Sequence, residues 1–363
     1  MFFSNIYKNK KVLITGHTGF KGSWLTIWLL MLGAKVIGVS INNNSKLSHF
    51  SLLKIKKRIK NHFLDINKYN NIIKIFKKYK PDIVFHLAAQ SLVFESYKKP
   101  LETIKTNSMG TANILECIKN TKSVKAAVIV TSDKAYFNNE NKNGYKETDR
   151  LAGEDPYSCS KSCAEIIFSS YYKSFFLKNK FISSVRAGNV IGGGDWSKNR
   201  IIPDAFIALI KKKKLIIKNP NSIRPWQHVL DPISAYLLLG KELIKKNNHC
   251  SGQSFNVGPK NTEKVRVIDL LNKIKKKQNN FSYKIKKNNN NFNETMTLML
   301  NSKKIKKIIN WSPTLNINET IDFTLKWYQN YIKKNIEIKD LAEEQIKNYC
   351  NIAIKKKASW TKR

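Results

Sequence analysis

The stretch KVLITGHTGFKGSW, residues 11–24, decides the fold of this 363-residue chain. It opens with a short β-rich run, and Gly16, Gly19 and Gly22 then follow with the spacing GxxGxxG. An apolar helix over residues 24–32 and a second strand over residues 34–40 come next. A strand, a tight turn, a helix and a strand in this order form a βαβ unit, which requires parallel strands and a right-handed crossover.

The same alternation of strands and helices continues to about residue 187. It predicts an α/β fold with a doubly wound, Rossmann-like parallel sheet of six or seven strands. Beyond residue 188 the loops lengthen and the alternation weakens, which indicates a smaller C-terminal substrate-binding domain. Further strands are predicted at 62–65, 83–87, 126–131, 181–186 and 255–258, and further helices at 69–79, 103–120 and 158–177. The predicted domains are 1–187 for dinucleotide binding with a returning segment near 226–258, 188–225 and 259–335 for substrate binding, and 336–363 as a basic helical tail.

The composition excludes several classes of protein. The chain has 66 Lys and Arg against 25 Asp and Glu, but only seven of the 66 are Arg, so 59 are Lys spread along the whole sequence. Because nucleic-acid surfaces favour clustered Arg, no nucleic-acid partner is expected. No apolar run reaches the ~18–20 residues of a membrane span, and no signal-peptide pattern opens the chain, so we expect a cytoplasmic protein. The five widely spaced cysteines predict free thiols and no metal site.

The glycine loop has the pattern of a dinucleotide site. Gly16 permits a tight turn, Gly19 lets the backbone approach a pyrophosphate, and Gly22 lets the helix pack on the strand. The helix N-terminus then offers N–H groups and a positive dipole to the phosphates. With the intervening Thr18 and Phe20, this loop predicts a bound NAD.

The adenosine end of the predicted cofactor site is less typical. The second strand usually ends in an acid that binds the ribose hydroxyls, and Asn42 stands there instead. Asn42 can hydrogen-bond a ribose, and we expect NAD rather than NADP. Asp65 suits contact with the adenine edge or, alternatively, capping of the following helix. The other predicted cofactor contacts, which follow strands, are Ile66, Leu87, Ala88 and Ala89.

A Tyr-Lys pair and a polar strand end supply the predicted chemistry. Tyr157 and Lys161 are four residues apart on a helix, so they share a face. A nearby ammonium and a cationic nicotinamide would lower the pKa of Tyr157, which could then take the proton of a hydroxyl whose carbon loses hydride. Ser132, Asp133 and Lys134 end the strand 126–131, and carboxyl strand ends face the ligand crevice of this fold.

These motifs resemble the extended short-chain dehydrogenase/reductases that act on nucleotide sugars, over residues 10–349, and most closely the CDP-sugar branch of the 4,6-dehydratases. The related dTDP- and GDP-sugar dehydratases carry Asp-Glu where this chain has Asp133-Lys134. Asn42 departs from the family, whose members usually place Asp there. The resemblance is carried by ITGHTGFKGSW (14–24), HLAAQ (86–90), TSDKAY (131–136), DPYSCSK (155–161), RAGNVIGGGDW (186–196), RIIPD (200–204), RPWQHV (224–229) and FNVGP (255–259).

The resemblance implies an NAD-dependent hydro-lyase of polysaccharide biosynthesis. It would convert CDP-D-glucose to CDP-4-keto-6-deoxy-D-glucose plus water by intramolecular redox dehydration, with transient reduction of bound NAD. Tyr157 would be the base at the sugar O4, Asp133 the acid and Lys134 the base or its assistant, with Ser132 positioning the O4 side. Lys161 completes the catalytic set.

The substrate site is predicted from side chains near these motifs. Arg200 and Arg224 carry planar forks that match a diphosphate, while Asn189 and Gln90 fit substrate contacts. The partner is then a CDP-hexose, and family members are commonly homo-oligomers, either dimers or tetramers. Another nucleotide-sugar dehydratase, a 4-epimerase and a non-catalytic dinucleotide-binding scaffold remain as alternatives. Asp133 argues against plain epimerisation, and the intact Tyr157 argues against a scaffold.

Overall fold

A computed structural model describes residues 2–42, 45–260, 264–286 and 295–362. The core is a sheet of seven strands that are all parallel, in the order β11-β6-β5-β4-β1-β2-β3. Its strands are β1 (Lys11–Thr15), β2 (Lys35–Ser40), β3 (Lys60–Phe63), β4 (Ile83–His86), β5 (Ala126–Val130), β6 (Phe181–Ala187) and β11 (Ser254–Val257). The doubly wound α/β fold is therefore confirmed, since the first six strands have the order 3-2-1-4-5-6 typical of dinucleotide-binding proteins.

Helices cover both faces of this sheet, so β4 and β5 are buried throughout. The α-helices are α1 (Phe20–Met31), α2 (His49–Leu52), α3 (Tyr69–Tyr79), α4 (Val93–Lys98), α5 (Pro100–Ile104), α6 (Gly110–Lys119), α7 (Pro156–Tyr171), α8 (Ile201–Ile210), α9 (Leu230–Ile244), α10 (Val267–Lys277), α11 (Lys303–Ile309), α12 (Ile317–Lys333) and α13 (Ile338–Lys355). Short 3-10 turns cover Phe3–Asn5, Lys56–Arg58, Asp133–Ala135 and Ser359–Thr361.

The element boundaries differ from the sequence expectations most clearly at α1, at β3, in the α5–α6 segment and at α7, which covers Pro156–Tyr171 instead of residues 158–177. α1 begins at Phe20, four residues earlier than expected, because its first turn starts directly after Gly19 and includes Gly22. The strand expected at 62–65 lies at Lys60–Phe63, where β3 pairs with β2. The helix expected over 103–120 is α5 and α6 joined by a π-helical turn, Lys105–Met109, and a second π turn, Tyr172–Phe176, follows α7.

The residues beyond β6 build short elements around the sheet. They include β7 (Val190–Ile191), β8 (Leu215–Ile217), β9 (Ile223–Arg224), β10 (Gln227–His228), β12 (Val265–Arg266) and β13 (Tyr283–Ile285). These strands pair as β7 with β10, β8 with β13 and β9 with β12. The chain then returns to the central sheet, because α9 packs on β5 and β6, and β11 pairs with β6. Parts of the predicted substrate-binding segment, residues 261–263 and 287–294, lie outside the described residues, as do Asn43 and Asn44.

The segment expected as a basic tail packs closely against the first part of the chain. α13 contacts α1, and the ring of Trp360 stacks on Phe3 with centroids 5.0 Å apart. Trp360 also stacks on Tyr349 of α13 and meets Trp28 of α1 edge-on. The basic residues of this segment therefore accompany a buried aromatic cluster that covers α1.

Candidate active site

The glycine loop folds tightly against its neighbours but is open on its outer side. Gly16 has φ +74°, and a Cβ there would lie 2.7 Å from the backbone nitrogen of Ala88. A Cβ on Gly22 would lie 2.1 Å from the carbonyl oxygen of Gly16. Gly19 is exposed, and a Cβ there would meet only that same carbonyl oxygen, at 3.3 Å. The loop therefore leaves space for a diphosphate to approach the backbone at Gly19 and the first turn of α1.

The adenosine-end residues lie around the ends of β1, β2 and β3. The hydroxyls of Thr18 and Ser40 are 2.7 Å apart, which joins the loop to the end of β2, and Asn42 beyond it is exposed. Asp65 accepts a hydrogen bond from the backbone N–H of Asn67 at 2.9 Å. The alternative that Asp65 caps α3 is wrong, because the N-cap position of α3 is Lys68.

The apolar cofactor candidates lie nearby. Ile66 is buried, and its side chain lies where a Cβ on Gly110 would fall. Leu87, Ala88 and Ala89 follow β4 and are partly buried, and Phe20 is partly buried at the start of α1.

The start of α7 positions the Tyr-Lys pair. Asp155 caps the helix, since its Oδ1 accepts hydrogen bonds from the backbone N–H groups of Tyr157 at 2.9 Å and Ser158 at 3.0 Å. Pro156 takes the first helical position, where its missing N–H costs nothing. Tyr157 and Lys161 are both buried one turn apart on this helix.

The end of β5 brings Ser132, Asp133 and Lys134 to the same place. The Ser132 hydroxyl donates to Asp133 Oδ1 at 3.0 Å and accepts from the backbone N–H of Lys134 at 3.2 Å. It also lies close enough to Tyr157 to act on the pKa of the phenol. The Lys134 ammonium lies 3.4 Å from Asp133 Oδ1. Asp133 is buried, and within the described residues its Oδ2 has no partner. The site therefore groups a phenol, a hydroxyl, a carboxyl and an ammonium between the start of α7 and the end of β5.

Burial controls the protonation of the Tyr-Lys pair. Burial raises the pKa of Tyr157 to about 12, although the hydrogen bond from Ser132 opposes this. A lowering of this pKa by the neighbouring side-chain cations is thus not found, because loss of hydration outweighs the charge of Arg200. Burial also lowers the pKa of Lys161 to about 7, and repulsion from Lys21 lowers it further while Glu165 raises it.

A buried ion pair joins α7 to the central sheet. Glu165 lies one turn beyond Lys161 and accepts from Arg186 of β6 at 2.7 Å. The hydroxyls of Ser184 and Ser254 each donate to the same carboxylate at 2.9 Å, and Thr131 donates to its other oxygen. Three neighbouring strands therefore hold the helix that carries the Tyr-Lys pair.

The predicted substrate residues have different surroundings. Arg200 bridges Asp195, at 3.2 Å, and the carbonyl oxygen of Ser91, also at 3.2 Å, and its positive charge acts on Tyr157. Within the described residues, the buried Oδ1 of Asn189 has no partner. Arg200 is thus paired within the protein, whereas the amide oxygen of Asn189 has no partner among the described residues.

Two other substrate candidates are engaged within the protein. The side-chain amide of Gln90 donates to Leu92 and Thr103 at 3.0 Å, and its oxygen accepts from the backbone of Leu92. The Arg224 guanidinium donates to the carbonyl oxygens of Thr295 at 2.8 Å and Ile223 at 2.9 Å. The side chain of Gln90 thus stabilises the turn that leads to Leu92, and the side chain of Arg224 connects β9 to the segment that begins at residue 295.

Sequence reasoning missed three residues of the site. Lys21 extends from the first turn of α1 to within 6.0 Å of the Tyr236 ring centroid. Asn107, in the first π turn, accepts from the backbone N–H of Gln90 at 2.8 Å and donates to Ser160 at 2.9 Å. Lys21 could have been noticed as the one charged residue of an otherwise apolar helix, whereas nothing local marks Tyr236.

No cluster of three or more His, Cys, Asp or Glu side chains suited to a metal ion occurs in the part of the chain that the structure describes. Over the same residues, no helix combines the length and apolar character needed to cross a membrane.

Comparison with known proteins agrees with this geometry. A family model described as GDP-mannose 4,6 dehydratase matches residues 13–324. A CDP-glucose 4,6-dehydratase of Salmonella typhimurium is 38% identical over 339 residues, which cover 92% of this chain and 94% of that protein. A UDP-glucose 4-epimerase of Mycoplasma genitalium is 27% identical and covers 88% of this chain and 97% of its own.

Solved structures share the fold. A dTDP-glucose 4,6-dehydratase of Bacillus anthracis, solved in complex with NAD, has a TM-score of 0.74 at 21% identity, covering 89% of this chain and 98% of its own. The sheet, the glycine loop and the Tyr157–Lys161 pair define a short-chain dehydrogenase/reductase. Within that class, the chain belongs to the GDP-mannose 4,6-dehydratase family of nucleotide-sugar enzymes.

Proposed function

We propose that this protein is a CDP-glucose 4,6-dehydratase that forms CDP-4-keto-6-deoxy-D-glucose and water. The observation that carries the proposal is that Tyr157 lies beside Ser132, whose hydroxyl donates to the carboxylate of the Asp133–Lys134 pair. This arrangement supports a base for alcohol oxidation beside an acid and a base for elimination. The 38% identity with the Salmonella CDP-glucose 4,6-dehydratase supports the choice of nucleotide.

The residues present fit an NAD cofactor. The exposed backbone at Gly19 and the N-terminus of α1 would hold the diphosphate, and Asn42 would hydrogen-bond the adenosine ribose. Lys161, buried beside Tyr157, would face the ribose and ring at the nicotinamide end. Bound NAD would accept hydride from the sugar C4 and return it to C6 later in the same turnover.

Tyr157 begins the reaction by taking the proton of the sugar O4 hydroxyl while C4 loses its hydride. With a pKa of about 12, to which Arg200 already contributes its charge, the phenol needs further positive charge to act as a base near neutral pH. The cationic ring of a bound oxidised nicotinamide would supply it. Ser132, beside Tyr157, positions the O4 side.

Asp133 and Lys134 then carry out the elimination. The pair acts with its proton on Asp133, so that Lys134 is a neutral amine. The ketone at C4 acidifies the C5 hydrogen, and the Lys134 amine takes that proton as the C5–H bond breaks. Asp133 donates a proton to the departing C6 hydroxyl, so the C6–O bond breaks and water leaves. The buried, unpartnered Oδ2 of Asp133 is the atom placed to hold this proton within the described residues. Arg200 and Asn189 hold the substrate, and Arg224 supports the nucleotide side.

The working form is proposed to be a homo-oligomer. Side chains of α4, α5 and the first π turn expose apolar surface beside α7, onto which α4 and α5 pack. Leu101 is 82% exposed and Ile166 is 57% exposed, and Tyr97, Ile104 and Met109 extend this apolar face. An exposed patch of this kind is typical of a protein interface, and size-exclusion chromatography of Leu101→Asp should show a shift to monomer. The five free cysteines support a reducing, cytoplasmic location for the activity.

The decisive experiment compares nucleotides. Purified protein is incubated with CDP-, dTDP-, GDP- and UDP-hexoses, and loss of water is followed by mass spectrometry. We expect dehydration of CDP-glucose in preference to the other three, and release of NAD rather than NADP from denatured protein. Interconversion at C4 without loss of water would indicate an epimerase, and no conversion of any sugar would contradict the proposal.

A further inference from the structure

Arg200 occupies a position in its helix where an arginine gains little. It is the N-cap residue of α8, where a side chain that accepts hydrogen bonds is preferred and where a guanidinium, which only donates, cannot cap. The N-terminus of a helix also carries partial positive charge, which disfavours a cation. A residue that breaks such a local rule is typically kept for another purpose.

The carboxylate of Asp195 holds this guanidinium. Asp195 lies in the GGGDW loop, residues 192–196, and its Oδ2 accepts from Arg200 Nη1 at 3.2 Å. Its Oδ1 accepts from the backbone N–H of Ser197 at 3.0 Å. The Asp195 side chain is 3% exposed and that of Arg200 is 34% exposed. Because a buried carboxylate is costly unless it is paired, this ion pair compensates for the burial of Asp195.

Aromatic side chains fix the GGGDW loop. A Cβ on Gly193 would lie 1.8 Å from the ring of Trp327, so the loop backbone packs directly on α12. Trp24 of α1 donates to the carbonyl oxygen of Gly193 at 3.0 Å, and Tyr328 of α12 donates to that of Asp195 at 2.6 Å. The Asp195 carboxylate is therefore a rigid support.

From this support Arg200 reaches the candidate active site. Its Nη2 donates to the carbonyl oxygen of Ser91, in the turn after β4, at 3.2 Å. Burial raises the pKa of the Tyr157 phenol to about 12, and the positive charge of Arg200 opposes this rise. The guanidinium is thus held between two loops at a place where its charge acts on the phenol.

The other charges of the site make this fixed cation valuable. Asp133 and Asp155 both raise the pKa of Tyr157. Burial lowers the pKa of Lys161 to about 7, so this amine is only partly charged near neutral pH. Arg200 stays charged throughout the physiological range. The titratable groups around the phenol and the guanidinium are Lys21, Asp133, Lys134, Asp155, Lys161, Asp195, Asp204 and Tyr236.

We propose that Asp195 is a positioning residue of the reaction, which fixes the Arg200 guanidinium where its charge stabilises the phenolate of Tyr157. The inference rests on the proposed function, in which Tyr157 takes the proton of the sugar O4 hydroxyl. Asp195 acts only through Arg200 in this role. The charge of a carboxylate by itself would oppose ionisation of the phenol, so the direct and the indirect effects of Asp195 have opposite signs.

The test measures the ionisation of Tyr157. The full chain is labelled with carbon-13 at tyrosine Cζ, whose NMR signal reports loss of the phenol proton, and Tyr157→Phe assigns the signal. Titrations use protein with bound NAD+ and no sugar. We expect Asp195→Asn to move the midpoint to higher pH by about one pH unit, the effect of losing one nearby opposite charge. Arg200→Met should cause the same shift, and the double variant should show no further shift.

Two further variants serve as controls. Arg200→Lys keeps a cation at the same position and should restore most of the original midpoint. Glu344→Gln removes a carboxylate from an exposed ion pair with Lys326 and should leave the midpoint unchanged. In the dehydration assay near neutral pH, Asp195→Asn should lower kcat roughly tenfold, in line with the expected shift of the midpoint, and should change KM for CDP-glucose much less.

The possible results separate this role from the proposed function. A midpoint that moves to lower pH in Asp195→Asn would show that only the charge of Asp195 acts on Tyr157, and it would overturn the positioning role. An unchanged midpoint would also overturn that role, and a raised KM in the same variant would assign Arg200 to the substrate diphosphate alone. Both results leave the dehydratase standing. If the midpoint moves as expected but no nucleotide sugar loses water, the positioning role is supported and the proposed function fails.

Discussion

The hydroxyl of Ser162 donates a hydrogen bond to the backbone carbonyl oxygen of Ala135 at 2.7 Å. This bond joins α7, which carries Tyr157, to the turn that carries Asp133 and Lys134. The groups proposed for oxidation at C4 and for elimination across C5 and C6 are thus held at a set spacing by one side chain. A hexose bound as proposed would meet both sets of groups without moving between sites.

Replacing Tyr157 by Phe should remove the base for the first step. We expect kcat for loss of water to fall by about 10²–10⁴-fold, the range for a lost general base. The rate of product formation from CDP-glucose measures this kcat. The control is Tyr79→Phe, which removes a phenol hydroxyl that hydrogen-bonds His62 of β3, an edge strand of the sheet. This variant should retain activity. Full activity of Tyr157→Phe would contradict the proposed role.

Lys134→Met should separate oxidation from elimination. Without the Lys134 amine beside Asp133, we expect exchange of the C5 hydrogen with deuterated water to slow by about 100-fold. Oxidation at C4, followed by the absorbance of reduced nicotinamide, should change much less. If C5 exchange continues at the original rate, Lys134 is not the base.

Glu165→Gln should destabilise the protein because it leaves Arg186 as a buried charge without its carboxylate. Removal of one partner from a buried ion pair typically costs about 3–5 kcal/mol in the free energy of unfolding. Urea denaturation measures the loss. Glu337→Gln breaks an ion pair with Lys54 whose side chains are 62% and 70% exposed, and it should cost less than about 1 kcal/mol. Similar losses in the two variants would show that the Glu165 network adds no stability.

Asp231 should give the protein a distinct pH dependence. Burial raises the pKa of this carboxyl from 3.8 to about 7, although hydrogen bonds from Thr314 and Tyr349 oppose the shift. Between these values the folded protein keeps a proton that the unfolded chain has released, so the free energy of unfolding falls as pH rises from about 4 to 7.

Asp231→Asn, which resembles the protonated carboxyl, should remove this contribution, a difference of the order of 3 kcal/mol over the window. Denaturation curves at several pH values measure it. The exposed Asp322→Asn provides the control. Parallel pH profiles for Asp231→Asn and the unmodified protein would refute the prediction.

Two glycines of the loop should behave differently when each is changed to Ala. Gly19→Ala should fold normally, because its φ is −72° and only one backbone oxygen lies within 4 Å of the added Cβ. Its methyl group would nevertheless occupy the space of the diphosphate, so NAD binding should weaken. Gly22→Ala should lower thermal stability, since its Cβ would fall 2.1 Å from the Gly16 carbonyl oxygen. Undiminished NAD binding in Gly19→Ala would place the cofactor elsewhere.

The fold could be predicted from the sequence because its signals are local. The glycine spacing and the strand-helix alternation are visible within a few tens of residues, and they led to the observed strand at Lys11–Thr15 and helix at Tyr69–Tyr79. The boundaries near the π turns could not be anticipated, because the extra residue in such a turn has no simple sequence pattern.

The surroundings of individual side chains depended on distant parts of the chain. The guanidinium of Arg224 is held by Thr295, and the ammonium of Lys21 faces Tyr236, so local motifs could not reveal either. The pKa of Tyr157 likewise depends on burial by the folded protein, which outweighed the neighbouring cations that the sequence suggested.

The stacking of Phe3 on Trp360 has a consequence for how the chain acquires its structure during synthesis. The apolar surface of α1, including Trp28, cannot be covered until α13 and Trp360 have left the ribosome. The βαβ unit of residues 11–40 therefore keeps an uncovered apolar surface, accessible to chaperones, until residues 338–360 have been synthesised.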